Sequence, residues 1–368
     1  MFALGFFVRP LGGWIFGRYA DRRGRKAALT LSVLLMCGGS LLIAVTPGYA
    51  SIGIAAPALL ILARVLQGFS VGGEFGASAT YLAEMAPARR RGFYSSFQHV
   101  TLILGQLLAI AVLLLLQGTL LTEQELESWG WRIPFVLGAL AAVLVFYLRR
   151  RLVETDSFVR AGAPAPEAGA VRMLLERHPR EVLVVVGLTM GGTVAFYTYT
   201  TYMQKFLVNT VGLTPMQSTL VSATTLCLYV LLQPLLGALS DAIGRRPLLI
   251  AFGVLGTLGT VPLLRALEHA RSAPEAFALI MTALVIVSGY TAVSAVVKAE
   301  LFPVRIRALG VALPYAVAVS LFGGTAEYVA LWCKNTGREQ LYYYYVAACI
   351  ACSLAVYATM RETSRSVV

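Results

Sequence analysis

In this 368-residue sequence, the groups that could do chemistry are ionisable or strongly polar side chains set inside long apolar runs. A charge placed in hydrocarbon persists only where a partner or a ligand stabilises it. Arg9 stands out, about nine residues before a basic loop and therefore roughly 13 Å along a helix from it, near the middle of a bilayer-spanning segment. A guanidinium there calls for an anion, either a carboxylate of the protein such as Glu74 or an anionic substrate in a water-filled cavity. Arg64 and Gln67 are three apart and share a helix face. Gln106, Tyr197 and Tyr199 are neutral groups that could donate to a carboxylate, although tyrosines at this spacing also serve as packing. Tyr202 with Lys205 reads as an interfacial anchor.

Two acids, Glu74 and Glu327, could bind and release a coupled proton. The alternative for Glu74 is pairing with an arginine to hold helices together. Lys298 is expected to reach the membrane surface or to pair with Glu300, and His99 to be a satisfied polar contact. The glycines at 68, 72, 73 and 76 favour close helix approach. No phosphate-binding loop, nucleophile elbow or metal-ligand cluster is present in the sequence. No cofactor, no metal and no enzymatic activity are therefore expected, and transport would draw on an ion or substrate gradient.

The elements that must position these groups follow from composition. Hydrophobic residues make up 58% of the chain and charged residues 13%, with a mean hydropathy of +0.75, too apolar for a soluble fold of this size. The expected fold class is an all-α polytopic membrane protein. Lys and Arg number 30 against 18 Asp and Glu, yet the basic residues are short clusters between apolar runs. That pattern sets membrane orientation and gives no reason to expect a nucleic-acid partner. The five cysteines, the Cys349-x-x-Cys352 pair included, read as packing.

Windows of bilayer length fall at 1–18, 27–46, 57–83, 93–118, 132–149, 181–207, 216–239, 247–265, 275–300, 308–332 and 341–360, about eleven spans. The alternate breaks that carry most of the Lys and Arg face the cytoplasm, and the C-terminus with them, in a bacterial-type inner membrane. Gly17-Arg18-Tyr19-Ala20-Asp21-Arg22-Arg23-Gly24-Arg25-Lys26 returns in reduced form at 237–246. Asp21 and Asp241, Gly24 and Gly244, and Arg25 and Arg245 each lie 220 positions apart. Glu84, Pro87 and Arg91 answer to Glu300, Pro303 and Arg307 at a step of 216. Constant offsets in two loops mark homologous halves: an N-terminal bundle at 1–149, a polar linker at 150–180 and a C-terminal bundle at 181–368. The first half is expected to lack one span at its N-terminus.

The loop Gly17-x-x-x-Asp21-Arg22-x-Gly24-Arg25-Lys26 and Arg64-x-x-Gln67-Gly68 resemble motifs of the major facilitator superfamily. Phe7-Val8-Arg9-Pro10-Leu11-Gly12-Gly13, Gly72-Gly73-Glu74, Trp131-Arg132-Ile133-Pro134-Phe135 and Phe322-Gly323-Gly324 are similar to the metabolite:proton symporter family within it. The resemblance implies the major facilitator fold of two six-helix bundles, with about eleven helices here, and alternating access. It also implies import of a small organic anion with protons. A dicarboxylate, α-ketoglutarate first, is the expected substrate, with citrate, shikimate, or proline- and betaine-type osmolytes as alternatives. A non-transporting membrane scaffold is the alternative of another class. On this reading Arg9 grips one carboxylate, Gln106 and the Tyr197/Tyr199 face support the other, and Arg64 adds positive charge. Asp21, Arg25, Asp241 and Arg245 would latch the cytoplasmic side.

Overall fold

The computed structural model describes residues 2–162 and 170–364; Pro164 and Pro166, at the centre of the expected linker, lie outside them. Eleven helices carry the architecture: α1 Arg9–Arg23, α2 Arg25–Val45, α3 Ala55–Met85, α4 Arg91–Leu115, α5 Ile133–Arg150, α6 Pro179–Tyr197, α7 Pro215–Ile243, α8 Arg245–Glu268, α9 Ala273–Glu300, α10 Arg307–Ala318 and α11 Glu339–Thr359. Among the described residues, ten stretches, those containing α2 to α11, are long and apolar enough to cross a bilayer. The window expected at 1–18 is divided, a short helix Phe2–Phe7 giving way at Val8 to α1. Pro10 lies in the first turn of α1, where its fixed φ and missing N–H cost nothing. The expected linker contains short helices at Asp156–Ala161 and Ala170–Arg177.

The two copies of the basic loop fold alike. Gly24 (φ 98°) separates α1 from α2, and Gly244 (φ 99°) separates α7 from α8, a left-handed conformation that any side chain would strain. The halves meet chiefly along two crossings, α1 with α10 and α4 with α7, with α3 against α10 and α4 against α9 beside them. These are equivalent pairs under the repeat, so the interface has the two-fold character that the constant offsets imply. Close approach within the first half depends on Gly72: a Cβ there would lie 2.2 Å from the Arg9 carbonyl oxygen, so α3 touches the backbone of α1 at the level of Arg9.

Outward faces carry bare apolar side chains, such as Leu140 and Leu258, which only a hydrocarbon solvent makes favourable. Two helices of the second half widen into π-type turns where they face the first half, at Thr198–Tyr202 after α6 and at Val319–Gly323 after α10. Such turns free backbone groups from the regular ladder and often mark functional positions.

Candidate substrate site and gate

Arg9 projects from the start of α1 into the space between the halves. Its guanidinium lies 3.6 Å from the centroid of the Phe6 ring, and its Nη1 donates to the Tyr197 hydroxyl at 3.5 Å. Its buried Nε has no hydrogen-bond partner, and among the described residues Arg9 forms no ion pair. The expected protein carboxylate is elsewhere. Glu74 bonds to Arg149, which also reaches Ser32 Oγ at 3.3 Å, so this acid joins α3 to α5 inside the first half. In this conformation the carboxylate ties two helices together, the alternative stated for it from the sequence. Glycine at positions 72 and 73 brings α3 flush against α1 and leaves the Glu74 side chain to point away from it.

Several other expected members of the site are separated by helix geometry. Tyr199 shares a small internal void with Phe252, Thr260, Val287 and Ile350 in the core of the second half. Two residues along a helix turn about 200°, so Tyr197 and Tyr199 present opposite faces and the shared tyrosine face does not form. Arg64 donates to Gln67 at 3.2 Å and stands over the Phe135 ring at 5.9 Å. It lies eight residues before Gly72 and therefore about 12 Å further along α3 than Arg9. Gln106 crosses between the halves, donating from Nε2 to the carbonyl of Thr200, three residues beyond Tyr197, at 3.3 Å, and is not against Arg9. Glu327 pairs with Lys205 at the end of the bundle opposite the basic loops.

Lys298 departs furthest from expectation. It is wholly buried, its Nζ donating to the Tyr290 hydroxyl at 3.3 Å, with the Tyr315, Phe75 and Tyr290 rings centred 4.5, 5.2 and 5.4 Å away. Phe75 from the first half and Tyr315 from the second stack face to face at 3.6 Å. The pairing with Glu300 does not occur because side chains on a helix lean toward its N-terminus: Lys298 climbs toward Tyr290, while Glu300 faces Arg245 at 3.6 Å.

At the basic end the two copies of the loop form one interlocking device. Asp21 accepts from the backbone N–H groups of Ala308 and Leu309, at 3.0 and 2.9 Å, at the start of α10. Asp241 accepts from those of Gly92 and Phe93, at 2.8 and 2.9 Å, at the start of α4. Each half thus places a carboxylate on a helix N-terminus of the other, where unpaired amides and the helix dipole favour negative charge. Glu84 holds Arg25 at 3.0 Å and Arg307 at 2.9 Å, with all three side chains buried. The second copy is looser, Arg245 meeting Asp241 at 2.8 Å and Glu300 at 3.6 Å.

Two further acids complete the device and were not singled out in the sequence. Glu154 accepts from the amides of Arg25 and Lys26 at 3.0 and 3.2 Å, and Glu362 from those of Arg245 and Arg246, both at 2.9 Å. Each heads a Glu-Thr pair beyond the last helix of its half, 208 positions apart, and that offset was the available signal. Burial acts to raise the Glu362 carboxyl, but the N–H groups of Arg245, Ser364 and Arg246 outweigh it and hold the group below its ordinary value. Its contribution is therefore full above the ordinary glutamate range and is lost as pH falls through the lower folded value. Protection of the 245–246 amides relative to their intrinsic exchange is expected to fall only in that acid window, and Glu362→Gln to remove that fall with pH.

Asp21→Ala leaves two amides without their partner and is expected to cost about 1–3 kcal/mol, seen as a lower midpoint of thermal unfolding. An unchanged midpoint would show that this lock is open in solution.

The sequence matches the family described as sugar (and other) transporter over residues 1–168 and 152–367. The chain belongs to this family, within the major facilitator superfamily. It is 53% identical to the alpha-ketoglutarate permease of Escherichia coli over 94% of this chain and 79% of that one. It is 32% identical to a citrate-proton symporter of Salmonella typhi over 98% and 83%. Among solved structures, the proton:xylose symporter XylE bound to 6-bromo-6-deoxy-D-glucose superposes with a TM-score of 0.85, covering 99% of this chain and 86% of that one, at 19% identity. This last likeness is one of fold. As a major facilitator protein with ten helices long and apolar enough to span, the chain is a multi-pass membrane protein. Its family consists of transporters.

Proposed function

We propose that this chain is a proton-coupled symporter of small organic dicarboxylates, with α-ketoglutarate as the leading substrate, working by alternating access. Residues 1–149 and 181–368 are its two moving bodies, joined by 150–180. The basic end and the C-terminus face the cytoplasm of a bacterial-type inner membrane, and the interlocked state described above is the one closed on that side. The observation that carries the reading is Arg9, a guanidinium between the halves with an aromatic ring beneath it and, among the described residues, no carboxylate paired with it. An anionic ligand supplies what the protein withholds. In this reading Tyr197 supports the gripped carboxylate, and the pair Lys205 and Glu327 closes the outer end.

The test is uptake of labelled α-ketoglutarate into membrane vesicles with an imposed inward proton gradient. Accumulation that a protonophore collapses and that unlabelled citrate or proline does not match in competition is the expected result. Stronger competition by proline or betaine would favour an osmolyte carrier. Correct insertion with no uptake and no substrate protection against unfolding would favour a scaffold.

A further inference from the structure

Lys298 lies between the two halves, and nothing in the gate uses it. Its ammonium position meets a hydroxyl and three aromatic faces, and among the described residues it forms no ion pair. Of the groups on the helices packed around it, Tyr197 on α6 is bonded to Arg9, Tyr229 on α7 to Thr291 at 2.9 Å, and Arg245 on α8 faces Asp241 and Glu300. On α3, Glu74 is turned to Arg149. On α9, Glu300 is turned to Arg245, and Tyr290 is the hydroxyl partner. On α4, buried His99 lies within electrostatic reach of Lys298 and its Nδ1 has no hydrogen-bond partner. On α10 the Tyr315 phenol lies within electrostatic reach of Arg9, Tyr197 and Tyr290. Lys298 of the second half thus stands over the Tyr315 ring, and Arg9 of the first half lies within electrostatic reach of the same phenol.

Aromatic faces attract an ammonium less strongly than the water it gives up. A charge at Lys298 is therefore costly while the site is empty and becomes favourable when a carboxylate lies beside it. We propose that Lys298 binds the second carboxylate of the substrate and carries the coupled proton with it. The proposal rests on the dicarboxylate symport reading. When the dianion enters, one carboxylate goes to Arg9 and the other to the Lys298 side of the Tyr315 and Phe75 stack, and Nζ takes one proton from the outer solution. When the substrate leaves at the basic end, Nζ returns that proton to the inner solution as the free amine reforms. Coupling follows because proton and anion each raise the affinity for the other, and by linkage the effect is reciprocal. The symport step thereby falls to a lysine, with Glu74 and Glu327 both held in ion pairs.

The experiment uses the full chain in liposomes and in detergent. Proton uptake on binding α-ketoglutarate is measured by calorimetry in buffers of different ionisation enthalpy. Gradient-driven uptake is compared with exchange of internal for external substrate, which needs no net proton movement. For the unaltered chain, uptake of roughly one proton per substrate at this group is expected. Lys298→Arg keeps a permanent charge and is expected to bind and exchange substrate with no proton taken up and no gradient-driven accumulation. Lys298→Met is expected to weaken binding at least roughly tenfold. Proton uptake unchanged in Lys298→Arg, or affinity unchanged in Lys298→Met, overturns the proposal. Where the arginine disturbs the cage enough to prevent folding, the methionine variant decides. An unaltered chain that neither binds nor exchanges α-ketoglutarate sinks the dicarboxylate reading instead, and the two failures are thereby distinguished.

Discussion

Replacing Arg9 by alanine is expected to reduce α-ketoglutarate uptake by about ten- to a hundredfold or more while the protein still inserts in the membrane. Charge-assisted hydrogen bonds to a carboxylate are worth roughly 1.5–3 kcal/mol, and each 1.4 kcal/mol is about tenfold in affinity. Among the described residues the change breaks no ion pair, since the Arg9 guanidinium meets the Phe6 ring and the Tyr197 hydroxyl. Removing a charge from a span also lowers the cost of insertion. The loss is therefore expected in binding and transport, with expression and thermal stability close to those of the unaltered chain. Arg9→Lys retains the charge but not the two-pronged donor geometry and is expected to fall between the two. Uptake by Arg9→Ala at the unaltered rate would remove the anion grip from this site. Tyr197→Phe, which deletes one neutral donor at 3.5 Å, is expected to cost at most a few-fold.

Glu84→Gln is expected to give the largest loss of stability. The carboxylate neutralises two guanidinium groups, Arg25 and Arg307, and the side chains of all three have at most 2% of their surface exposed. Removing one partner from a buried ionic cluster costs about 3–5 kcal/mol, because the remaining charges stay buried without compensation. Here two like charges remain face to face. The first consequence is local: the Asp21 contacts to the start of α10 lose the frame that aligns them, and the basic end opens. Hydrogen exchange of the Ala308 and Leu309 amides reads this directly. An increase of about a hundredfold or more is expected, since the amides are held closed by the same device. Exchange at its unaltered rate would show that the triad is incidental to closure. Glu300→Gln, in the looser copy at 3.6 Å, is expected to have a smaller effect on the Gly92 and Phe93 amides.

The asymmetry between the two copies separates what a repeat can say from what packing adds. The offsets of 220 and 216 positions pair each residue with its equivalent. They do not say that Asp21 reaches the α10 of the other half rather than its own neighbours. That contact needs the crossing of α1 with α10 and of α4 with α7, which no local pattern encodes. Because each crossing brings a loop of one half against a helix start of the other, one motif used twice closes the interface on itself. The acids at 154 and 362 complete it for the same reason, and their weaker motif of two residues left only an offset to find them by.

The sequence by itself determined the class of the protein, ten of its spans and its duplication, and it singled out Arg9 as a charge in need of a partner. Each of these depends on residue type at a spacing, and hydrocarbon punishes a misplaced charge so strongly that composition alone limits the possible folds. Partners were another matter. Whether Glu74 would meet Arg9 or Arg149, whether Tyr199 would face the ligand or the core, and whether Lys298 would lean toward Glu300 or Tyr290 depended on helix rotation and on which helices cross. A side chain two residues along a helix, or one leaning to the wrong end of it, points into a different environment, and only the packed tertiary structure decided which environment each charge would meet.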